Sequence, residues 1–128
     1  MRYLTRSFAA GAIRRGAIVG QLLGGYGQGE RHGLRVLTVQ PDGEAFCLYV
    51  HEILDVGGTD FADLTEFPPW DDESGDATVC SQTPDALLSY AEQQLGADAT
   101  RWVNGSMLDD EYLDYVRAGR PANLTPPA

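Results

Sequence analysis

The residues best suited to covalent chemistry in this chain are its two cysteines and two histidines. Cys47 and His51 stand four residues apart in Cys-Leu-Tyr-Val-His. On a strand this spacing places both side chains on one face but about 13 Å apart, because a strand rises about 3.3 Å per residue. A thiolate–imidazole pair needs hydrogen-bond contact. The spacing therefore does not predict a nucleophilic site.

Metal and phosphate sites are not predicted either. His32 and His51 are the only histidines, and neither stands at zinc-ligand spacing from another ligand residue. The acids between residues 71 and 76 do not fit the calcium-loop pattern. The glycine-rich stretch 24–29 is followed by Glu30, where a phosphate loop needs lysine. We expect no metal, no other cofactor and no enzymatic activity.

The two cysteines are 33 residues apart and form no Cys-x-x-Cys motif. We interpret Cys47 and Cys80 as buried free thiols that behave as small apolar groups, rather than as a disulfide or a nucleophile. Reduced thiols and the lack of a convincing signal peptide predict a cytoplasmic protein. The alternative is a targeting peptide, because Arg14-Arg15 precedes a short apolar run that resembles a twin-arginine signal.

The formal charge of −10 is unevenly distributed along the chain. The first 40 residues hold six arginines and one acid, whereas fourteen acids and no lysine or arginine lie between Val36 and Thr100. Such an excess repels nucleic acid, which binds through Lys and Arg. It favours encounter with a basic protein partner. Solubility alone is the alternative explanation, and the lack of a long apolar run predicts no membrane span.

The length of 128 residues indicates one domain. We predict an α+β fold over residues 1–120: a small antiparallel sheet of three to four strands packed with two C-terminal helices and a helical N-terminal segment. Residues 121–128 are rich in proline and are predicted to be a disordered tail. The sequence leaves the strand order and the oligomeric state open.

The clearest strand signal is a hairpin formed by residues 34–39 and 44–55. Pro41-Asp42-Gly43 between them has the residue types of a tight turn. Both faces of 44–55 are largely apolar, which is typical of a central strand. We predict a third strand at Phe61–Phe67 and a short fourth at Ala77–Ser81.

The helices are predicted from capping residues and apolar stripes. Thr83-Pro84-Asp85 is typical of a helix start, and Gly96 ends that helix. A second helix runs from Ser106 to Gly119, with an ion pair between Asp114 and Arg117.

The N-terminal segment is predicted to be helical as well. Ser7 would cap a helix that ends at Gly16 and carries Phe8, Ala9, Ala12 and Ile13 on one face. A short helical turn at 17–23 and a flexible glycine linker at 24–29 would follow.

Trp70 is unusual because it stands between Pro-Pro and Asp-Asp-Glu. The prolines would present the indole with little conformational entropy to lose, and interface hot spots favour tryptophan within a polar ring. The alternative is that Trp70 folds back as a lid over one end of the sheet. We predict that the partner-binding residues are the following: Asp60, Asp63, Glu66, Trp70, Asp71, Asp72, Glu73 and Asp76.

These features predict an immunity or antitoxin protein that inhibits a basic partner such as a nuclease toxin. One alternative is a structural or adaptor subunit that assembles through its arginine-rich N-terminal segment. A metal-dependent enzyme with scattered carboxylates is the least favoured alternative.

Overall fold

An antiparallel sheet with helices on both faces organises this chain. A computed structural model describes residues 3–28, 31–69 and 78–120, which form five strands and three α-helices. In chain order these elements are α1 (Arg6–Arg14), β1 (Val19–Gln28), β2 (Arg31–Asp42), β3 (Ala45–Leu54), β4 (Val79–Ser81), α2 (Pro84–Gln94), β5 (Val103–Asn104) and α3 (Leu108–Arg117). The strand order is β4-β3-β2-β1-β5. The α+β class is confirmed, with more strands than predicted.

The predicted hairpin is confirmed by the pairing of β2 with β3. Their register runs from Gly33 opposite Leu54 to Asp42 opposite Ala45. Gly43 has a φ of 64°, the left-handed conformation that glycine adopts without a steric penalty. The middle strand of the sheet is β2, and β3 lies between it and the edge strand β4.

The N-terminal segment differs from the prediction. Helix α1 is capped by Thr5, whose side chain accepts the Phe8 N–H at 3.2 Å, and not by Ser7. Phe8 is exposed instead of sharing the buried face of Ala9 and Ile13. Gly16, with a φ of 97°, follows the helix as predicted.

The predicted helical turn at 17–23 and the glycine linker after it are wrong in the described part of the chain. Residues 19–28 form β1, which pairs antiparallel with β2. Val19 lies opposite Val39 at one end of the ladder, and Gln28 lies opposite Arg31 at the other. A register shift between Leu22 and Gly24 interrupts the ladder. Glycine disfavours strands by itself, so tertiary pairing with the twelve-residue strand β2 determines this structure.

The predicted third strand at Phe61–Phe67 is also wrong. This segment contains a 3-10 turn at Leu64–Glu66, which Asp63 caps by accepting the Thr65 N–H at 3.1 Å. The predicted fourth strand is confirmed at Val79–Ser81, and Ala77 lies outside the described residues.

Both C-terminal helices are confirmed. Helix α2 has Thr83 at its N-cap and Pro84 at its first position. Helix α3 follows a 3-10 turn at Gly105–Met107, and Asp114 pairs with Arg117 at 3.7 Å. The tail 121–128 lies outside the described residues.

Alternate residues of β2 face opposite sides of the sheet and enter two apolar layers. Leu37 and Val39 pack with α1, α2 and the fully buried Trp102. Leu34 and Val36 pack with α3 and with the 3-10 turn at Leu64. The two-sided packing explains why both faces of the middle of β2 carry apolar residues.

The prediction of free thiols is wrong, because Cys47 and Cys80 form a disulfide. Strands β3 and β4 place these two residues directly opposite each other, with their Cα atoms 4.1 Å apart. A separation of 33 residues in sequence gave no indication of this pairing. The bond removes the reduced-thiol argument for a cytoplasmic location. In the described chain, no helix combines the length and apolar character needed to cross a membrane.

Candidate functional site

Three of the predicted binding acids lie in one described segment, Asp55–Pro69, which we call the acidic loop. Asp60, Asp63 and Glu66 are all exposed in this loop. The other predicted binding residues lie outside the described residues: Trp70, Asp71, Asp72, Glu73 and Asp76.

The acidic loop is fixed at its start by a buried carboxylate. The Asp55 side chain is 1% exposed, and its two oxygens accept hydrogen bonds from the Arg120 guanidinium and, at 2.6 Å, from the Tyr112 hydroxyl. Arg120 also donates to the Gly57 carbonyl at 3.0 Å. The hydrogen bond with Asp55 raises the pKa of Arg120, so the guanidinium stays charged. Burial, followed by the bond to Asp55, raises the pKa of Tyr112.

The middle and far end of the acidic loop are fixed as well. The Leu64 N–H donates to the Asp109 carboxylate at 3.1 Å, which ties the 3-10 turn to the start of α3. Pro69 forms a bridge with Ile53 of β3, and the Leu54 N–H donates to the Pro68 carbonyl at 2.8 Å. A loop held at three points loses little conformational entropy when it binds a partner.

An aromatic side chain projects from the acidic loop between two of its acids. Phe61 is 42% exposed, and its ring centroid lies 5.3 Å from that of Phe67. The rings of Phe67 and Tyr112 pack in a T-shaped arrangement, with their centroids 5.2 Å apart. Phe61 is not among the predicted binding residues, because the sequence pattern predicted a strand over this segment. The Gly57-Gly58 pair before it and the flanking acids were the available signal for an exposed loop.

Six arginines of the described chain form ion pairs with acids, and five of these acids lie outside the acidic loop. Those that form ion pairs are Arg6, Arg14, Arg35, Arg101, Arg117 and Arg120. The acidic loop contributes only the buried Asp55 to these described ion pairs. Within the described residues, Asp60, Asp63 and Glu66 have no cationic partner.

Two further acids stand at the start of α3, next to the acidic loop. Asp109 and Asp110 are exposed and occupy the first turn, where the helix dipole favours negative charge. The helix dipole and the hydrogen bond from the Leu64 N–H therefore explain why an acid stands at position 109 without any partner protein. The two carboxylates still add to the negative potential beside the loop.

An apolar groove of about 310 Å³ lies between the sheet, the 3-10 turn and α3. The Thr38 hydroxyl and His51 Nε2 lie 2.9 Å apart at one wall. The groove is lined by Val36, Thr38, His51, Ile53, Leu64, Thr65, Phe67 and Leu108. Nothing in the sequence indicated it, because its walls come from three separate elements.

The remaining reactive side chains form no catalytic arrangement in the described chain. Cys47 is oxidised, and His51 contacts Thr38 and stacks on Tyr49 at 6.2 Å. Burial, followed by the bond to Asp42, raises the pKa of Tyr49. Across residues 3–28, 31–69 and 78–120, no three His, Cys, Asp or Glu side chains are close enough to hold a metal ion.

Two N-terminal arginines, Arg6 and Arg14, face the protein's own second helix. Arg6 pairs with Glu92 at 2.5 Å and also donates to the Ser89 hydroxyl at 3.0 Å. Arg14 pairs with Asp85 at 2.5 Å. These contacts hold α1 against α2, and Glu92 also accepts the Trp102 indole N–H at 2.8 Å.

Comparison with known proteins adds no family to this description. The chain matches no family model, and searches of curated proteins and of solved structures find no significant similarity. The functional conclusion therefore depends on the acidic loop and its surroundings.

Proposed function

We propose that this chain is a non-enzymatic binding protein of the immunity or antitoxin type, which inhibits a cationic partner such as a nuclease toxin. One observation carries the proposal: the exposed acids of the acidic loop lack cationic partners in the described chain, whereas six arginines elsewhere are paired. Unpaired like charges destabilise a fold through repulsion. Their concentration on one fixed loop is explained by a partner that supplies the positive charge.

The contacts of the acidic loop suit such a role. Its negative potential accelerates encounter with a basic surface, and the three fixed points keep the acids in place. Phe61 is exposed between Asp60 and Asp63 and supplies an apolar contact, and aromatic residues are enriched at protein interfaces.

The residues predicted from sequence alone extend the proposed surface. The segment 70–77 follows Pro69, which is bridged to Ile53, and precedes Thr78, which donates to the Leu48 carbonyl at 2.8 Å. Trp70, Asp71, Asp72, Glu73 and Asp76 are therefore included in the proposal through their sequence and these neighbouring attachment points.

The adaptor alternative has less support. Arg6 and Arg14 already pair with α2, so their docking on a neighbour would require breaking contacts within the chain. The proposed compartment is also open to revision, because the cytoplasmic prediction depended on free thiols. Trapping thiols with an alkylating reagent directly in cells distinguishes the reduced protein of a cytoplasmic location from the disulfide form.

The proposal is tested by the association rate with the candidate basic partner, for example a basic polypeptide encoded by the neighbouring gene. We expect the rate constant to fall by about tenfold or more between low and high salt, because salt screens steering. Asp60→Asn/Glu66→Gln should lower the low-salt rate constant, and stopped-flow fluorescence measures both effects.

A matched control is Glu52→Gln/Asp85→Asn, which changes the net charge equally. Both acids are paired with arginines, and they lie on the face of the sheet that carries α2. The control should slow association less than the loop variant. Equal slowing would mean that net charge alone acts, and a rate constant independent of salt would contradict the proposal.

A further inference from the structure

The groove is lined mainly by apolar residues although it lies beside the exposed acids of the acidic loop. Val36 and Ile53 form its floor on the sheet, and Leu64, Phe67 and Leu108 form its walls. Its volume of about 310 Å³ is at the lower end of the range for small-molecule pockets, about 300–1,000 Å³. This volume suits one large side chain better than a cofactor.

Two carboxylates lie beside residues that line the groove, and we call them its acidic rim. The Asp63 carboxylate accepts a hydrogen bond from the Thr65 hydroxyl at 2.6 Å, and the Asp109 carboxylate accepts the Leu64 N–H at 3.1 Å. A positively charged segment near the groove would therefore be attracted from two sides. An acidic segment would be repelled.

We propose that this groove binds one leucine-like or aromatic side chain of the cationic partner, presented between arginine or lysine residues. The inference rests on the proposed function and specifies its recognition chemistry. The apolar side chain leaves water for the groove, while its basic neighbours meet the acidic rim. Charge provides fast encounter, and the buried side chain slows dissociation.

The test uses synthetic peptides as probes, titrated into the full chain and followed by NMR of its methyl groups. The probes are Arg-Arg-Leu-Arg-Arg, the same peptide with alanine at its centre, and Glu-Glu-Leu-Glu-Glu, all with blocked ends. We expect the leucine peptide to shift the methyl signals of Val36, Ile53, Leu64 and Leu108. Its Kd should be about tenfold lower than that of the alanine peptide, from the burial of one leucine.

A groove-filling variant provides the matched comparison. Thr65 lines the groove and is exposed, whereas Thr59 is an exposed residue of the same loop that does not line it. Thr65→Phe should remove the preference for leucine over alanine. Thr59→Phe should retain it.

The possible outcomes separate the groove from the charge. If both arginine peptides bind equally and leave the groove methyl signals unchanged, the groove inference is wrong and the charge-based function stands. If the arginine peptides bind no better than the glutamate peptide, the proposed function fails as well. Nuclear Overhauser contacts from Trp70 to Ile53 or Leu108 in the free protein would show that the chain itself fills the groove and would overturn the inference. Shifts of the groove methyl signals on dilution without peptide would instead assign it to a second copy.

Discussion

At the scale of single residues, the buried carboxylate of Asp55 determines where the acidic loop begins. A carboxylate taken out of water requires charged and hydrogen-bonding partners. Arg120 and Tyr112 supply them from α3 and the turn after it. The start of the loop is therefore attached to α3 and the turn after it by two side chains that lie 57 and 65 residues away from Asp55 in sequence.

Replacing Arg120 should destabilise the protein far more than replacing Arg117. Arg120→Ala leaves the buried Asp55 without its cation, and we expect a loss of about 2–3 kcal/mol in the free energy of unfolding, because Arg120 is itself partly exposed. Arg117→Ala breaks an exposed pair with Asp114 and should cost less than about 1 kcal/mol. Urea unfolding followed by fluorescence measures both, and equal losses would contradict the role of Asp55.

Tyr115 should make the protein sensitive to alkaline pH. Burial, followed by the negative charge of Asp55, raises its pKa from 10.0 to about 12. Between these values the native protein keeps a proton that the unfolded chain releases. The free energy of unfolding should therefore fall by about 2–3 kcal/mol as pH rises from 10 to 12. Below pH 10 Tyr115 is protonated in both states and adds no pH dependence.

Tyr115→Phe should reduce this alkaline loss and leave the part that Tyr49 and Tyr112 contribute through their raised pKa values. Tyr90→Phe, at an exposed position of α2, should retain the whole loss. Urea unfolding at a series of pH values provides the measurement. An unchanged slope in Tyr115→Phe would show that other groups cause the loss.

At the scale of elements, adjacent glycines give the acidic loop its shape. An added Cβ at Gly57 would lie 2.2 Å from the Phe61 carbonyl oxygen and 2.5 Å from the Phe67 ring. An added Cβ at Gly58 would meet nothing within 4 Å. Of these two glycines, therefore, only Gly57 stands where a side chain would clash.

Gly57→Ala should destabilise the fold by about 1–3 kcal/mol and displace the loop. Gly58→Ala should remain within about 0.5 kcal/mol of the unmodified protein. Thermal unfolding gives the stabilities, and amide chemical shifts of residues 58–66 report the displacement. Similar behaviour of the two variants would show that the close contact at Gly57 has no structural role.

The disulfide between β3 and β4 should contribute substantially to the stability of the protein. Strand β4 has three residues, and Cys47–Cys80 closes a separation of 33 residues. Reduction should lower the free energy of unfolding by about 3–4 kcal/mol, chiefly by releasing the unfolded chain. Cys47→Ser/Cys80→Ser should match the reduced protein and be insensitive to reductant. A reductant effect that persisted in this variant would contradict the assignment.

Elements whose boundaries are determined by local chemistry were predictable from sequence. Thr83-Pro84 and Gly96 bound α2, and Gly43 lies in the hairpin turn as predicted. The turn itself is Gly43-Glu44, because Pro41 and Asp42 still pair with Phe46 and Ala45 in the ladder. Strand β1 was not predictable, because its glycines favour no regular structure and its partner β2 determines its conformation.

The candidate site was predictable only in part. Asp60, Asp63 and Glu66 were predicted from charge, and the structure places them exposed on the acidic loop, while their role in binding stays a prediction. Phe61 and the groove were not, because both depend on the packing of the loop against α3 and the sheet.

At the scale of the whole molecule, the net charge of −10 is less important than the position of its uncompensated part. Ion pairs hold α1 against α2, while the acidic loop and the start of α3 retain unbalanced carboxylates. The proposed function requires that negative potential to be concentrated at this one place.

The most direct test measures the local potential without any partner. Two nitroxides of equal size, one cationic and one anionic, are added in turn at low salt, and the paramagnetic relaxation of each amide proton is compared. Potentials of several kT at protein surfaces give severalfold differences between such probes. We predict the largest excess for the cationic nitroxide at residues 58–66 and 108–110, and ratios closer to one along α1 and α2. A similar ratio over the whole surface would contradict the central claim.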